Sequence, residues 1–264
     1  MTDRKNLLVV GATGSIGRLV VAEALGRGHR VRALVRAASR GKTLPADVEI
    51  HVGNVTQPET LEPALDGVDA IILTLNADGQ GKAVSEAVYY GGVRDILKAV
   101  VGRQVRVALM TTIGVTERAG SYNRSNEGHD WKRRAERLLR VSGQPYTIVR
   151  PGWFDYNDRD QHRLLFLQGG RRHAGTPADG VIARQQIAEV LVASLTSAEA
   201  CRKTFELVAE TGVAQRDFEP LFAALEADPS DSLDAVRDID NMPMADEPGR
   251  VRQEYREFSE GVQS

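Results

Sequence analysis

Hydrophobic residues in the first two-thirds of the chain fall into short continuous runs, and stretches with helical spacing separate those runs. The runs lie at residues 7–10, 31–35, 48–52, 70–75, 105–110 and 146–149, and one more follows at 205–208. Continuous apolar runs are typical of parallel strands that are buried on both faces of a sheet. Because crossovers between such strands are right-handed by default, the pattern predicts an α/β fold with a doubly wound sheet.

Apolar side chains recur at every third or fourth position between these runs, which predicts amphipathic helices. The predicted helices cover residues 16–28, 58–65, 83–101, 128–141 and 187–195. A chain of 264 residues can bury one substantial core. We therefore expect a single domain over residues 1–264 with a small C-terminal lobe. Segments 153–183 and 210–264 are expected to serve as smaller substrate, lid or partner segments.

Three glycines, Gly11, Gly14 and Gly17, lie between the first predicted strand and the first predicted helix. Glycines at this spacing allow a sharp turn, a close approach of the backbone to a pyrophosphate, and tight packing of the helix on the strand. The free amides at the helix start favour phosphate groups. The sequence thus predicts a dinucleotide site on a Rossmann-type sheet. Thr13, Ser15 and Ile16 complete the turn.

Arg36 follows the second predicted strand, at the place where an NAD site usually has an acid for the ribose 2′-hydroxyl. An arginine can instead bind a 2′-phosphate with two hydrogen bonds, so we expect the cofactor NADP(H). Asn54 after the third strand, and Leu75 with Asn76 after the fourth, are expected to line the cofactor. A plain loop role remains open for these three residues.

Charge and cysteine content narrow the range of partners. Lys and Arg number 34, Asp and Glu number 36, the net charge is −2, and the single cysteine is Cys201. This balance gives no global footprint for nucleic acid or membrane, and one thiol cannot form an internal disulfide or a metal cluster. No apolar run has the length of a membrane span or a signal peptide. We expect a soluble, cytoplasmic protein with a small-molecule substrate and with no metal, nucleic-acid or membrane partner.

Two charged stretches allow two interpretations each. Acidic residues dominate positions 226–247, which we interpret as a solvated helix-loop appendage that is either inert surface or a lid or partner surface. Basic residues form a cluster at 159–173 and a series along the helix at 128–141, and both either attract an anionic substrate or are solvated. The basic residues are Arg159, His162, Arg163, Arg171, Arg172 and His173, and Arg133, Arg134, Arg137 and Arg140.

The chain resembles the atypical short-chain dehydrogenase/reductases, and within them the NAD(P)H-binding, nitrogen-metabolite-repressor-like subgroup. The resemblance covers residues 5–155 and the helix at 185–195. It rests on four segments taken together: Val9 through Gly17, Ala33 through Arg36, Trp131 through Glu136, and Tyr146 through Gly152.

This resemblance implies a catalytic set. In the superfamily a Ser or Thr after strand five, a Tyr, and a Lys four residues later carry out the chemistry. Thr111 and Thr112 match the first position and Lys132 matches the lysine, which would also hold the nicotinamide ribose. The tyrosine position is Gly128. Tyr122, His129 and Thr112 are alternative acids, although Tyr122 and His129 can equally be ordinary loop and helix-start residues.

The resemblance also implies a nicotinamide-side turn and a dimer contact. Pro151 and Gly152 would border the nicotinamide, and Trp153 and Phe154 would wall the substrate side, although a plain core role is equally open for the two aromatics. Tyr122 is expected at the border of the same pocket. The helices at 83–101 and 128–141 often form dimer contacts in this superfamily. Tyr89, Tyr90 and Val93 would take part in a homodimer, or pack a monomer equally well.

Loss of the tyrosine influences which reaction we expect. An isolated ketone that accepts hydride becomes a strongly basic alkoxide and needs a positioned acid, whereas a conjugated acceptor becomes a delocalised anion that water can protonate. The first hypothesis is therefore an NADP(H)-dependent reductase of a small conjugated acceptor such as a quinone. The second is a non-catalytic NADP(H)-binding redox sensor, whose partner surface would be the acidic segment. Isomerase or epimerase chemistry remains a third possibility.

Overall fold

The apolar runs form the centre of a ten-stranded sheet in a computed structural model that describes residues 4–261. The strands are β1 (Asn6–Val10), β2 (Arg30–Val35), β3 (Glu49–Val52), β4 (Ala70–Leu73), β5 (Arg106–Met110), β6 (Tyr146–Pro151), β7 (Trp153–Phe154), β8 (Arg163–Leu167), β9 (Val181–Ile182) and β10 (Lys203–Glu210). All seven predicted strands are present, and the short strands β7, β8 and β9 were not predicted.

Ten α-helical segments accompany these strands in the described part of the chain. They are α1 (Ser15–Gly26), α2 (Ala38–Gly41), α3 (Glu62–Leu65), α4 (Lys82–Ser85), α5 (Gly92–Ala99), α6 (Ser121–Asn126), α7 (Gly128–Val141), α8 (Arg184–Ser194), α9 (Glu219–Ala223) and α10 (Gly249–Gly261). A π-helical turn, Glu86–Gly91, joins α4 to α5. Among residues 4–261, no helix combines the length and the apolar character needed to cross a bilayer.

The strand order is β3-β2-β1-β4-β5-β6-β10, and all of these neighbours pair in parallel. This is the order of a doubly wound Rossmann-type sheet extended by one strand, so the predicted fold class is confirmed. Beyond β6, strand β10 also pairs in antiparallel fashion with β8 and β9, and β7 pairs with β9. The carboxyl ends of β1, β2, β4, β5 and β6 therefore open at one edge, where a ligand site is expected.

Each face of the sheet buries its own apolar core. On one face α1 and α8 contribute Val20 and Ile187, which pack with Phe205 of β10. On the other face the long helix α4–α5 and α7 contribute Tyr90, Trp131 and Leu138. Strands covered on both faces explain why the runs are continuously apolar rather than alternating.

The acidic segment at residues 226–247, named here the acidic strap, is not solvated as expected. It crosses α7, and its carboxylates pair with the arginines of that helix. Asp234 accepts hydrogen bonds from Arg133 at 3.0 Å and from Arg137 at 2.9 and 2.6 Å. Glu247 accepts one from Arg134 at 2.6 Å. The reason is electrostatic: Arg133 has no exposed surface, and a buried guanidinium requires a carboxylate partner.

The strap makes a second set of ion pairs with β6 and the end of α7. Asp238 accepts two hydrogen bonds of 2.7 Å from Arg150, and Asp228 accepts one of 3.2 Å from Arg140. Arg150 in turn binds Glu136 of α7 at 2.6 and 3.0 Å. The arginines of α7 are therefore structural, and neither a solvated surface nor a site for an anionic substrate.

Helix α10 follows the strap and covers the face on which a dimer contact was expected. Its Val251, Tyr255 and Phe258 join the core that contains Tyr90 and Trp131. The Tyr90 hydroxyl donates to Glu254 at 2.6 Å. Tyr89 lies in the π-helical turn and points into the cleft described below. The chain thus covers this face with its own C-terminal helix, so Tyr90 has the packing role within one chain that the sequence left open, and a homodimer stays a prediction.

We predict that Asp234→Ala lowers the free energy of unfolding by about 3 kcal/mol, because it leaves two buried guanidinium groups without their shared carboxylate. Burial works to raise the pKa of Asp234, but Arg137 and Arg133 outweigh it and hold the pKa below its ordinary value. Asp240→Ala is the matched control, since Asp240 is exposed on the same strap. Chemical denaturation measures both variants, and an equal, small effect would contradict the prediction.

Candidate active site

The glycine turn joins β1 to α1 with almost no free space around it. Gly11 has a φ of 89°, and a Cβ atom there would lie 2.5 Å from the carbonyl oxygen of Thr74. A Cβ on Gly17 would lie 2.0 Å from the carbonyl oxygen of Gly11. The turn is closed by a 2.9 Å hydrogen bond from the Gly14 amide to the same oxygen. Gly11 and Gly17 are therefore required by sterics, as a tight dinucleotide turn demands, whereas a Cβ on Gly14 would make one tight contact of 3.1 Å with the Gly11 oxygen.

Helix α1 begins at Ser15, and its N-cap residue is Gly14, which has no side chain that could cap the first turn. The first amides of a helix have no partner within the helix, so this end offers donors and a partial positive charge to an anion. The turn and the helix start together fit the pyrophosphate of a dinucleotide. Ser15 also accepts a 3.2 Å hydrogen bond from Arg184 of α8, which ties the turn to the helix that packs beside α1.

Arg36 and Asn54 lie at the carboxyl ends of β2 and β3, beyond the residues that line the cleft. Arg36 is exposed and directly follows β2, which pairs with β1. The side-chain oxygen of Asn54 accepts a 3.2 Å hydrogen bond from the backbone amide of Thr56. The backbone amide of Asn54 donates to the Thr60 hydroxyl at 2.9 Å. Asn54 therefore has the local loop role that the sequence left open.

A cleft of about 570 Å³ opens at the carboxyl edge of β1, β4, β5 and β6. Predicted site residues lining it are Gly14, Ser15, Ile16, Gly17, Leu75, Asn76, Thr111, Thr112, Tyr122, Lys132, Gly152, Trp153 and Phe154. Asp78, Tyr89, Met110, Ile113 and His129 also contribute to its wall. The cleft thus extends from the glycine turn to Lys132 and the aromatic residues without interruption.

Lys132 projects from α7 into the deep end of the cleft and is 8% exposed. Its Nζ lies 3.2 Å from the Tyr122 hydroxyl and 3.4 Å from an Asp78 carboxylate oxygen, and 4.5 Å above the Tyr89 ring. Burial lowers the pKa of Lys132, and the negative charge of Asp78 partly opposes this. The ammonium is thus held by a carboxylate and two phenol groups.

Asp78 organises this cluster, although no motif in the sequence pointed to it. Its Oδ1 accepts hydrogen bonds from Tyr89 at 2.6 Å and from Tyr122. Burial would raise its pKa, but Lys132 and the two phenols lower it below the ordinary value, so the carboxylate stays charged. The available signal was its place three residues after the apolar run at 70–75, on the same sheet edge as the glycine turn.

Thr111 and Thr112 follow β5, and the structure separates their roles. Thr111 donates its hydroxyl proton to the buried carboxylate of Glu136 at 2.7 Å. The donor side of this hydroxyl therefore faces α7 and not a ligand in the cleft. Thr112 is half-buried and lines the cleft. Because Glu136 accepts the only proton of this hydroxyl, Thr111 can offer a ligand only an acceptor, and the catalytic role of the two threonines stays a prediction.

The turn after β6 borders the cleft on its outer side. Pro151 belongs to β6, and its carbonyl accepts a 2.9 Å hydrogen bond from Ile113. A Cβ on Gly152 would lie 2.5 Å from the carbonyl oxygen of Gly180, so glycine is required there. Trp153 is 36% exposed at the mouth of the cleft. Phe154 lines the cleft and also packs against the apolar core, and its contact with a substrate stays a prediction.

The basic cluster at 159–173 does not converge on one point. His173 lines the cleft, Arg172 donates to the carbonyl of Asp179 at 3.3 Å, and Arg163 pairs with Glu210 at 3.0 Å on the surface. Within residues 4–261, no group of three or more His, Cys, Asp or Glu side chains could hold a metal ion.

Residues 11–198 match the family model described as NAD(P)H-binding, and the chain belongs to that family. Its sequence is 28% identical over 266 residues to sanguinarine reductase of Eschscholzia californica, which covers 84% of this chain and 96% of that protein. An uncharacterized chloroplastic protein of Arabidopsis thaliana is 28% identical over 247 residues, and the match covers 84% of this chain and 75% of that protein. The fold is similar to that of a Bacillus halodurans protein named as a candidate NAD-dependent epimerase/dehydratase, with a TM-score of 0.68 and 22% sequence identity. The superposition covers 82% of this chain and 98% of that one.

These findings confirm the resemblance to atypical short-chain dehydrogenase/reductases and correct one expectation. The expected cytoplasmic location is wrong, because the matched relatives include chloroplastic proteins and photosystem II assembly factors. The absence of a signal-like apolar run was therefore a poor guide to location.

We predict that Gly17→Ala weakens NADP(H) binding about tenfold or more. The added methyl group would overlap the Gly11 carbonyl, and overpacking of this kind costs about 1–3 kcal/mol. Gly26→Ala is the control in the same helix, because a Cβ there meets nothing within 4 Å. Calorimetric titration measures both, and an unchanged affinity for Gly17→Ala would show that the turn does not contact the cofactor.

Proposed function

We propose that the protein is an NADP(H)-dependent reductase of small conjugated acceptors such as quinones. The observation that carries the proposal is the single continuous cleft, in which the glycine turn, the buried Lys132 and the aromatic wall all face the same space. A cofactor and a planar acceptor can lie in contact only in such a cavity. The similarity to sanguinarine reductase supports the reduction of a small molecule.

The residues present fit a bound dinucleotide. The Gly11–Gly17 turn and the first amides of α1 would hold the pyrophosphate, and Arg36 would bind a 2′-phosphate with its guanidinium. The Lys132 ammonium has three N–H donors, and two of them point to Tyr122 and Asp78. The third donor would hold the nicotinamide ribose. When bound, the nicotinamide supplies a hydride.

The acceptor side of the cleft favours conjugated molecules. Met110, Ile113, Trp153 and Phe154 give it an apolar, partly aromatic lining. Gly128 stands at the position of the tyrosine that protonates ketone oxygens in the superfamily. An acceptor whose charge delocalises after reduction depends less on such an acid.

A non-catalytic redox sensor is less well supported. That hypothesis assigned the acidic strap to a partner surface, yet Asp228, Asp238 and Glu247 are buried against arginines of the same chain. Epimerase chemistry is supported only by the similarity to the Bacillus halodurans structure, and that similarity concerns the fold and not the reaction.

We predict that the protein prefers NADPH to NADH and that Arg36→Asp reverses or abolishes this preference. The substitution replaces a partner of the 2′-phosphate with a like charge, which costs about tenfold or more in NADPH affinity. Arg30→Asp is the control, because Arg30 is exposed at the opposite, amino end of β2. Fluorescence titration with both nucleotides measures the ratio of dissociation constants, and an unchanged ratio would remove Arg36 from the site.

We predict that Lys132→Ala lowers kcat for quinone reduction by about 10²-fold or more, because it removes the cation at the reacting end of the cleft. Lys98→Ala, at an exposed position of α5, should leave kcat unchanged. NADPH oxidation with a panel of quinones provides the rates. Tight NADPH binding without turnover by the wild-type protein, together with altered protection of the strap against hydrogen exchange, would favour the sensor instead.

A further inference from the structure

The phenol of Tyr122 occupies the space that a side chain at position 128 would take. A Cβ built on Gly128 would lie 2.4 Å from the Tyr122 hydroxyl oxygen and 2.8 and 2.9 Å from two of its ring carbons. Tyr122 comes from the short helix α6, which ends just before α7. Any larger residue at 128 would therefore force the Tyr122 ring out of this position.

The hydroxyl that arrives this way has the surroundings of a reacting group. It accepts a hydrogen bond from Lys132 at 3.2 Å and donates to Asp78. The His129 ring packs against the Tyr122 ring, with centroids 4.7 Å apart, and fixes its plane. Burial and the bond to Asp78 raise the pKa of Tyr122 well above its ordinary value, so the phenol keeps its proton and remains a donor.

The two neighbouring candidates for this role are occupied. The Tyr89 hydroxyl donates to Asp78 and accepts from the Ala77 amide at 2.8 Å, and Tyr89 is buried. His129 interacts through Nδ1 with the Glu117 carbonyl at 2.9 Å, and burial lowers its pKa, which keeps the ring neutral. Tyr122 is half-buried and lines the cleft, so its hydroxyl can exchange Asp78 for a ligand.

We propose that Tyr122 replaces the missing tyrosine through space, donating a hydrogen bond to the acceptor atom that becomes electron-rich, with Gly128 as the glycine that admits it. This inference rests on the proposed reductase function. The acceptor gains a hydride at one atom, and the electron pair released by its π system moves to a conjugated oxygen or nitrogen. Tyr122 stabilises that anion, and water supplies the proton that completes the reduction.

Tyr122→Phe removes the hydroxyl and keeps the ring. With 1,4-naphthoquinone as acceptor, we expect kcat to fall about 10²-fold, as on loss of one donor to a developing anion, while the dissociation constant for NADPH and the melting temperature stay unchanged. Tyr156→Phe, which removes an exposed hydroxyl, is the control. An unchanged kcat in Tyr122→Phe, in a wild type that turns over, would overturn the proposal and leave the reductase function intact.

A double-mutant cycle tests the role of Gly128. Gly128→Ala should lower kcat as much as Tyr122→Ala, because the new methyl group displaces the phenol. In the Tyr122→Ala background the same substitution should have no further effect, since the space is then free. Additive losses would show that Gly128 acts independently of Tyr122 and would refute the replacement.

A binding measurement separates this inference from the proposed reaction, because it needs no turnover. An anionic phenolate, 4-nitrophenolate, resembles the electron-rich reduced acceptor and can be followed by its absorbance. We expect its affinity for the NADP⁺ complex to fall about tenfold in Tyr122→Phe, the equivalent of one hydrogen bond to a charged group. Equal affinities for the two proteins would contradict the donor role even if no quinone is reduced.

Discussion

Helix α7 bears charged residues on every side, and the burial of those charges governs how the rest of the molecule is arranged. Arg133, Arg134 and Arg137 face the strap, Glu136 faces β6, and Lys132 faces the cleft. An unpaired charge in such a position costs several kcal/mol, so every one of them needs a partner of opposite sign. The helix can hold Lys132 in place only because carboxylates of the strap and the guanidinium of Arg150 neutralise its remaining faces.

The ion pairs connect the strap to the cleft. Asp238 binds Arg150, Arg150 binds Glu136, and Glu136 accepts the hydroxyl proton of Thr111. Each step is a short, buried, charge-assisted hydrogen bond, the kind that fixes geometry most strongly. The strap, which has no place in the cleft, thereby sets the orientation of a residue at the end of β5. Helix α10 extends this cover over Tyr90 and Trp131.

Sequence periodicity was sufficient for the fold, and it located the glycine turn that borders the cleft. The seven apolar runs became the parallel strands, and the helix predicted at 128–141 has those bounds, because both patterns depend on local burial. The strap was misjudged because its carboxylates pair with arginines about a hundred residues away, as for Arg133 and Asp234. Only the charge complementarity between a basic helix and an acidic segment suggested it. Tyr89 was misplaced because the π-helical turn adds a residue to the helical repeat and rotates this side chain into the cleft.

The missing tyrosine shows how position in sequence and position in space differ. Counting four residues back from Lys132 arrives at Gly128, and the absence of a side chain there reads as the loss of a function. In three dimensions the same absence creates a hole beside the lysine, and the phenol of Tyr122 fills it from α6. The chemical group is thus kept while its origin changes. A phenol held by a carboxylate differs from one beside a lysine alone, since Asp78 raises its pKa where the lysine would lower it. Such a group is suited to hydrogen bonding and poorly suited to surrendering its proton, which is the balance that a delocalised acceptor requires.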